Sequence, residues 1–205
     1  MADRPYHPYV FDAKRRVFVG RFEAMYRAES RDGFDSWFQS DLTHLGKQLS
    51  LAILDRHQFH SILDVGCGKG TFTHLLKRVE NQVVGVDMSA AAIRKARAAY
   101  REVEFRRQTV QQALAPKKTW DLIVMAEILS YVRDWPTVLR SAATRGTSVF
   151  VSLYLPENPM GYIKTFSEFR EVFSRWFSVE TDVVVDGSQL LILGKARRRK
   201  SNAAV

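Results

Sequence analysis

Residues 62 to 70 read Ile-Leu-Asp-Val-Gly-Cys-Gly-Lys-Gly, and three glycines at alternate positions between a β-prone run and a helical one constrain this chain more than any other stretch. Glycine takes positive φ without strain, so Gly66, Gly68 and Gly70 let the main chain turn sharply and let a ligand come closer than a Cβ permits. Before the loop, Ser61 to Val65 is a short buried strand; after it, Phe72, Leu75, Leu76 and Val79 follow a helical period. The start of that helix offers unpaired N–H groups, which suit an anionic or polar ligand.

The alternation then repeats. A strand over Gln82 to Val86 ends at Asp87, and Ser89 is placed to cap a helix reaching Tyr100 with Ile93 and Ala96 inward. Further strands are expected at Val103 to Gln108, Asp121 to Ala126 and Thr147 to Leu155, with Asp134 and Pro136 opening a helix to about Arg145. Parallel neighbours need crossover connections, so this order predicts an α/β chain: a doubly wound, mostly parallel seven-stranded sheet with helices on both faces. A helix over Thr165 to Trp176 breaks the rhythm. Phe177 to Val185 and Ser188 to Lys195 then flank Asp186-Gly187, the signal for a tight antiparallel hairpin.

Leu42, Leu45, Leu49, Ala52 and Ile53 predict a helix over 41–54. Residues 1–40 read as an N-terminal arm and lid candidate, 41–195 as one domain, and 196–205 as a disordered basic tail. In the arm, Met25, Tyr26, Phe34, Trp37 and Phe38, with His44 behind them, either pack a helix on the sheet or close over a substrate. The net charge of +9 draws five of its charges from Lys195, Arg197, Arg198, Arg199 and Lys200. About +4 remains elsewhere, a modest excess that argues against a nucleic-acid partner. One cysteine excludes an intramolecular disulfide and multi-cysteine zinc sites, and no apolar run nears the ~20 residues of a membrane helix, so a cytoplasmic chain is expected. His57 and His60, with Asp55, lack the second ligand cluster that a metal needs, and no metal site is expected.

Asp64-Val-Gly-Cys-Gly-Lys-Gly70 and Val84-Gly-Val-Asp87-Met-Ser resemble the first and second motifs of the class I S-adenosylmethionine-dependent methyltransferases over about residues 40 to 195. The nicotinamide fingerprint has a different glycine spacing, Gly-x-Gly-x-x-Gly. The resemblance implies S-adenosylmethionine as cofactor, with Asp64, Gly66, Cys67 and Gly68 toward its methionine part, Asp87 on the ribose and Met88 on the adenine. That family's acidic residue after the third strand is replaced here by Gln108-Thr109-Val110, which leaves the adenine contact to Thr109, Val110 and main-chain groups. The stretch Ala126-Glu127-Ile-Leu-Ser-Tyr131 looks like the small-molecule branch that includes the nodulation N-methyltransferases. It implies that Ala126 borders the cofactor, Glu127 meets the acceptor and Tyr131 orients it. No Pro-Pro-aromatic signature is present, so bases of nucleic acids and protein amides are poor acceptors. No His follows the fourth strand closely, which leans the expectation toward nitrogen over oxygen. An NAD-dependent oxidoreductase, an RNA-directed enzyme or binder using the basic tail, and a cofactor binder without catalysis are the rival readings. A monomer or homodimer is expected.

Overall fold

The structure, a computed structural model, describes residues 7–115 and 117–197, so the basic run from Arg198 onward lies outside the described residues. Two short strands, β1 (Phe11–Asp12) and β2 (Val17–Phe18), form a small hairpin, followed by helix α1 (Phe22–Asp32) and a 3-10 turn at Ser36–Phe38. Then come α2 (Leu45–Leu54), β3 (Ser61–Val65), α3 (Thr71–Leu75), β4 (Gln82–Asp87), α4 (Ala90–Ala99), β5 (Glu104–Arg107) and α5 (Val110–Leu114). The chain continues through β6 (Trp120–Ala126), a 3-10 turn at Leu129–Tyr131, α6 (Trp135–Arg145), β7 (Gly146–Tyr154), α7 (Phe166–Trp176), β8 (Phe177–Val185) and β9 (Gln189–Ala196).

The main sheet has seven strands in the order β5-β4-β3-β6-β7-β9-β8. The pairs from β5 to β7 are parallel, and β9 runs antiparallel to both β7 and β8. This is the expected α/β sheet with its reversed terminal hairpin. The hairpin turns through Asp186, Gly187 and Ser188, with φ of +46° and +67° at the first two, and the Ser188 N–H donates to the Val185 carbonyl at 3.1 Å.

Strand alternation divides the core into two layers. On β6, Leu122 and Val124 face α2, α3 and α4 together with Leu54, Leu76 and Ile93. Ile123 and Met125 face the opposite way, toward Leu114 of α5, Leu139 of α6 and Phe169 and Phe173 of α7. Strand β9 does the same, with Leu191 and Leu193 in the first layer and Leu190 and Ile192 in the second. Among the described residues no helix is long and apolar enough to cross a membrane.

Three local expectations change. Helix α2 starts at Leu45, because Asp41 turns the chain first by accepting from the Thr43 N–H at 2.8 Å. Helix α3 ends at Leu75, short of Val79, which is exposed. The Asn81 carboxamide stops it there, donating to the Leu76 carbonyl at 2.9 Å and accepting from the Arg78 N–H at 2.8 Å. The arm is also more regular than its sequence suggests: Val10, Phe11, Met25 and Tyr26 are buried in a third cluster with Ala91 and Ala92 of α4.

Candidate active site

Strand order reverses between β3 and β6, and the loops leaving their carboxyl ends meet at the crevice position where open α/β sheets take ligands. The first of these loops is Gly66 to Gly70. The N–H groups of Gly66 and Cys67 donate to the Val86 carbonyl at 2.8 and 3.0 Å, which ties the loop to the end of β4. Gly66, Gly68 and Gly70 have φ of +78°, +55° and +81°. A Cβ on Gly66 would lie 2.1 Å from Ile128 Cγ2, and one on Gly68 would lie 2.5 Å from Gln39 Oε1 and 2.7 Å from the Tyr26 hydroxyl. The loop is therefore pressed against the β6 turn on one side and the N-terminal segment on the other.

The two motif carboxylates have different surroundings. Asp64 is 2% exposed, and its Oδ2 accepts from the Thr73 hydroxyl at 2.6 Å. Burial pushes its carboxyl up to about 7, against the Thr73 hydrogen bond and with help from the charge of Asp87. Asp64 thus braces the loop against α3 from behind. Asp87 ends β4 partly buried, its Oδ2 accepting from the Gly68 N–H at 3.0 Å and its Oδ1 from the Ser89 N–H at 2.8 Å. Burial also raises its carboxyl above the usual range, with those two amides opposing. An ionised carboxylate has about four acceptor positions, so two remain open.

Cys67 is buried in the loop, and burial raises its thiol well above its ordinary value. Met88 is 56% exposed just beyond Asp87. Thr109 spends its hydroxyl on a capping box: it accepts from the Gln112 N–H at 3.2 Å, while Gln112 Oε1 accepts from the Thr109 N–H at 2.9 Å. Val110 opens α5 half-buried, and Ala126 closes β6 half-buried at the crevice.

Glu127 follows Ala126 with φ of +59°, a left-handed conformation that a non-glycine residue adopts at a cost. This turn sends its carboxylate back over the sheet, where Oε1 accepts from Ser152 Oγ and, at 2.8 Å, from Gln189 Nε2, and Oε2 accepts from the Tyr154 N–H at 2.6 Å. Tyr131 sits in an aromatic cluster, with Phe11, Phe18, Phe22 and Trp37 ring centroids 5.5 to 5.9 Å away. Burial, then the charge of Glu127, raises its phenol above the ordinary range.

The arm supplies contacts that sequence reasoning missed. Gln39 Oε1 accepts from the Lys69 N–H at 2.9 Å, and Gln39 Nε2 donates to the Tyr26 hydroxyl at 2.7 Å. Glu29, 5% exposed, pairs with Lys69 at 3.2 Å and Lys95 at 2.5 Å and accepts from the Ser36 N–H at 2.8 Å. Lys69 also pairs with Asp35. Glu23 Oε2 accepts from Ser89 Oγ at 2.7 Å and the Ala91 N–H at 3.1 Å, a cap on α4 lent by α1. A signal was present: Glu29 continues the helical stripe of Phe22, Met25 and Tyr26, a carboxylate on an apolar face. Trp37 and Phe38 have φ of +52° and +49°, so the segment lies over the loop in strained backbone. His57 and His60 line a separate cavity of about 260 Å³ with Asp55 and Arg78, at the amino end of β3 away from the crevice. Among the described residues no group of three or more His, Cys, Asp and Glu is placed to hold a metal.

Comparison with known proteins agrees with this fold. Among solved structures, the N-methyltransferase NodS of Bradyrhizobium japonicum in complex with S-adenosyl-L-homocysteine superposes with a TM-score of 0.70 at 16% identity, covering 86% of this chain and 99% of that one. The magnesium protoporphyrin IX methyltransferase of Synechocystis, with bound S-adenosylmethionine, gives 0.65 at 16% identity, covering 86% and 97%. At these identities the likeness is one of fold. A ubiquinone biosynthesis O-methyltransferase of Methylobacterium sp. is 33% identical over 86 residues, 40% of this chain and 34% of that protein. A trans-aconitate 2-methyltransferase of Azoarcus sp. is 35% identical over 104 residues, 50% of this chain and 40% of that protein. The chain thus spans about a third of the length of the first of these relatives. A family described as methyltransferase domain matches residues 34–176, well over half of the chain, and this protein belongs to that family.

Proposed function

We propose that this protein transfers the sulfonium methyl of S-adenosylmethionine to an oxygen or nitrogen of a small molecule, in the cytoplasm and as a monomer or homodimer. The observation that carries the reading is the pairing of the Gly66–Gly70 loop with Asp87 at the strand-order reversal, joined by the Gly68 N–H on the Asp87 carboxylate. The fit is chemical: a glycine loop with three positive φ values, which brings main-chain N–H groups to the end of β3, beside a carboxylate with two acceptor positions left for the paired hydroxyls of a ribose. The O-methyltransferases among the curated relatives favour oxygen over the nitrogen suggested by sequence.

When bound, the cofactor supplies a methyl group already activated for displacement. The protein's own tasks are alignment, exclusion of water and removal of a proton. Gly66, Cys67 and Gly68 hold the methionine end, with Asp64 bracing them through Thr73. Asp87 takes the ribose, and Met88, Thr109 and Val110 border the adenine; the Thr109 N–H is committed to Gln112 in the cap, while its hydroxyl accepts there and keeps its own proton to donate. Ala126 lines the crevice floor. The Tyr131 phenol, protonated at neutral pH even at its ordinary value and held higher by burial and Glu127, orients the acceptor as a donor. Glu127 meets the acceptor's O–H or N–H, and the N-terminal arm forms the lid.

Calorimetric titration with S-adenosylhomocysteine and NAD tests the reading. S-adenosylhomocysteine binds and NAD does not. Tight NAD binding with no response to S-adenosylhomocysteine overturns it.

A further inference from the structure

Gln189 opens the reversed strand β9 and is 9% exposed, and its side chain is used in an unusual way. Both hydrogens of its carboxamide are spent in one small ring: Nε2 donates to Glu127 Oε1 at 2.8 Å and to Ser152 Oγ at 2.9 Å, and Ser152 Oγ donates to the same Glu127 oxygen. Its Oε1 is then buried with no hydrogen-bond partner. Reversing the amide would put an oxygen against the Glu127 carboxylate, so the carboxylate dictates the orientation. A buried acceptor without a donor costs stability, and an apolar side chain of the same length would avoid that cost. Room for the carboxamide comes from α2: a Cβ on Gly46 would lie 1.8 Å from Gln189 Oε1. A glycine inside a helix also costs stability relative to alanine.

Two sacrifices of stability and one left-handed glutamate thus converge on the direction of a single carboxylate. With Tyr154 N–H on Oε2, three of the four acceptor positions of Glu127 are taken, and one on Oε2 stays open. We propose that Gln189 and Ser152 are positioning residues that aim this open position of Glu127 at a proton-bearing group of the methyl acceptor. Strand β9 and, through Gly46, helix α2 therefore set acceptor selection from outside the sequence motifs. The proposal rests on the methyltransferase reading of the site.

The test follows the side-chain carboxyl ¹³C resonance of Glu127, assigned by its loss in Glu127→Gln, in the full chain loaded with S-adenosylhomocysteine. Gln189→Met, Ser152→Ala and Gly46→Ala all move the resonance. Gly46→Ala does so without touching Glu127, because its methyl displaces the carboxamide. In Gln189→Met the Tm stays level or rises, and the Kd for S-adenosylhomocysteine stays within about threefold of the parent value. Catechol and 2-aminophenol serve as O–H and N–H probes, and at least one shifts the resonance in the parent protein but not in Gln189→Met. An unmoved resonance in Gln189→Met and Gly46→Ala, or a Tm several degrees lower in Gln189→Met, makes the ring a structural clamp and overturns the proposal. So does a parent resonance that neither probe moves. Failure of the parent chain to bind S-adenosylhomocysteine is separate and removes the methyltransferase reading itself.

Discussion

Asp64→Asn is the substitution whose effect can be worked out furthest. The Asp64 carboxyl is 2% exposed, with one side-chain donor, the Thr73 hydroxyl, and it titrates at about 7 in the folded chain against 3.8 for an ordinary aspartate. Because the folded value is raised, the contribution of the group to stability is complete below about pH 3.8 and is lost as pH rises through 7. That interval corresponds to roughly 4 kcal/mol at 1.36 kcal/mol per unit. Asparagine does not titrate and leaves one extra N–H to satisfy, a penalty of about 1 to 3 kcal/mol that does not vary with pH. The variant should therefore be less stable than the parent below about pH 4.5, cross it between about pH 4.5 and 6, and be more stable at pH 8. In a domain of this size the whole swing corresponds to roughly 10 °C in Tm. Thermal unfolding of both proteins across pH 4.5 to 8.5 measures it, and the difference between them cancels groups common to both. A pH-independent difference refutes the claim that Asp64 is buried without a cationic partner.

The remaining expectations concern the site and its lid. Asp87→Ala should weaken S-adenosylhomocysteine binding by about 1 to 3 kcal/mol in calorimetry while the protein stays folded, and unchanged affinity removes Asp87 from the site. Glu127→Gln should lower turnover by ~100-fold with affinity for S-adenosylhomocysteine nearly unchanged, and normal turnover would make Glu127 purely structural. Glu29→Leu takes the carboxylate from Lys95 and leaves Lys69 with Asp35 alone, so urea unfolding should show a loss of about 1 to 3 kcal/mol, with faster proteolysis within residues 34–44; parent-like behaviour would mean that the ion pairs do not hold the segment down. Gly70→Ala places a Cβ 2.5 Å from Phe105 Cζ at a φ of +81°, and a Tm within a degree of the parent would contradict that crowding.

Most of the sheet was legible because each of its signals is local. β-Branched and apolar runs mark β3, β4, β6 and β7, with Gly66 and Asp87 stopping the first two, and Asp186-Gly187 announces the hairpin through its two positive φ values. The misread ends of α2 and α3 have a common cause: side chains of Asp41 and Asn81 capture main-chain groups, and such captures compete with helix without altering the apolar period. The arm was legible only as a list of aromatics. Its order depends on partners distant in sequence, above all Ala91 and Ala92 of α4 and Tyr131.

The same distinction runs through the site. Gly66, Gly68, Gly70 and Asp87 act within one βα unit and its neighbour, so their spacing alone carries information. Gln39, Glu23, Glu29, Ser152 and Gln189 act across the chain, and each is ordinary in its own sequence context. Yet these distant residues meet the motif atoms directly: Gln39 at the Lys69 N–H, Glu23 at the Ser89 hydroxyl next to Asp87, Glu29 at the Lys69 ammonium, and Ser152 and Gln189 at the Glu127 carboxylate. Glu23 shows how firm such a contact is: burial pushes its carboxyl up, but Ser89, the Ala91 N–H and Arg27 together hold it at about 2. A folded value that low keeps the α4 cap charged, and its stabilisation is present above about pH 4.5 and lost only as pH falls through 2. The motif residues therefore form the loop, while segments folded over it from both ends of the chain bond beside Asp87, at Ser89, and to Glu127 itself. A sequence scan that scores the motif alone would miss the bonds that Gln39, Glu29, Ser152 and Gln189 make to it.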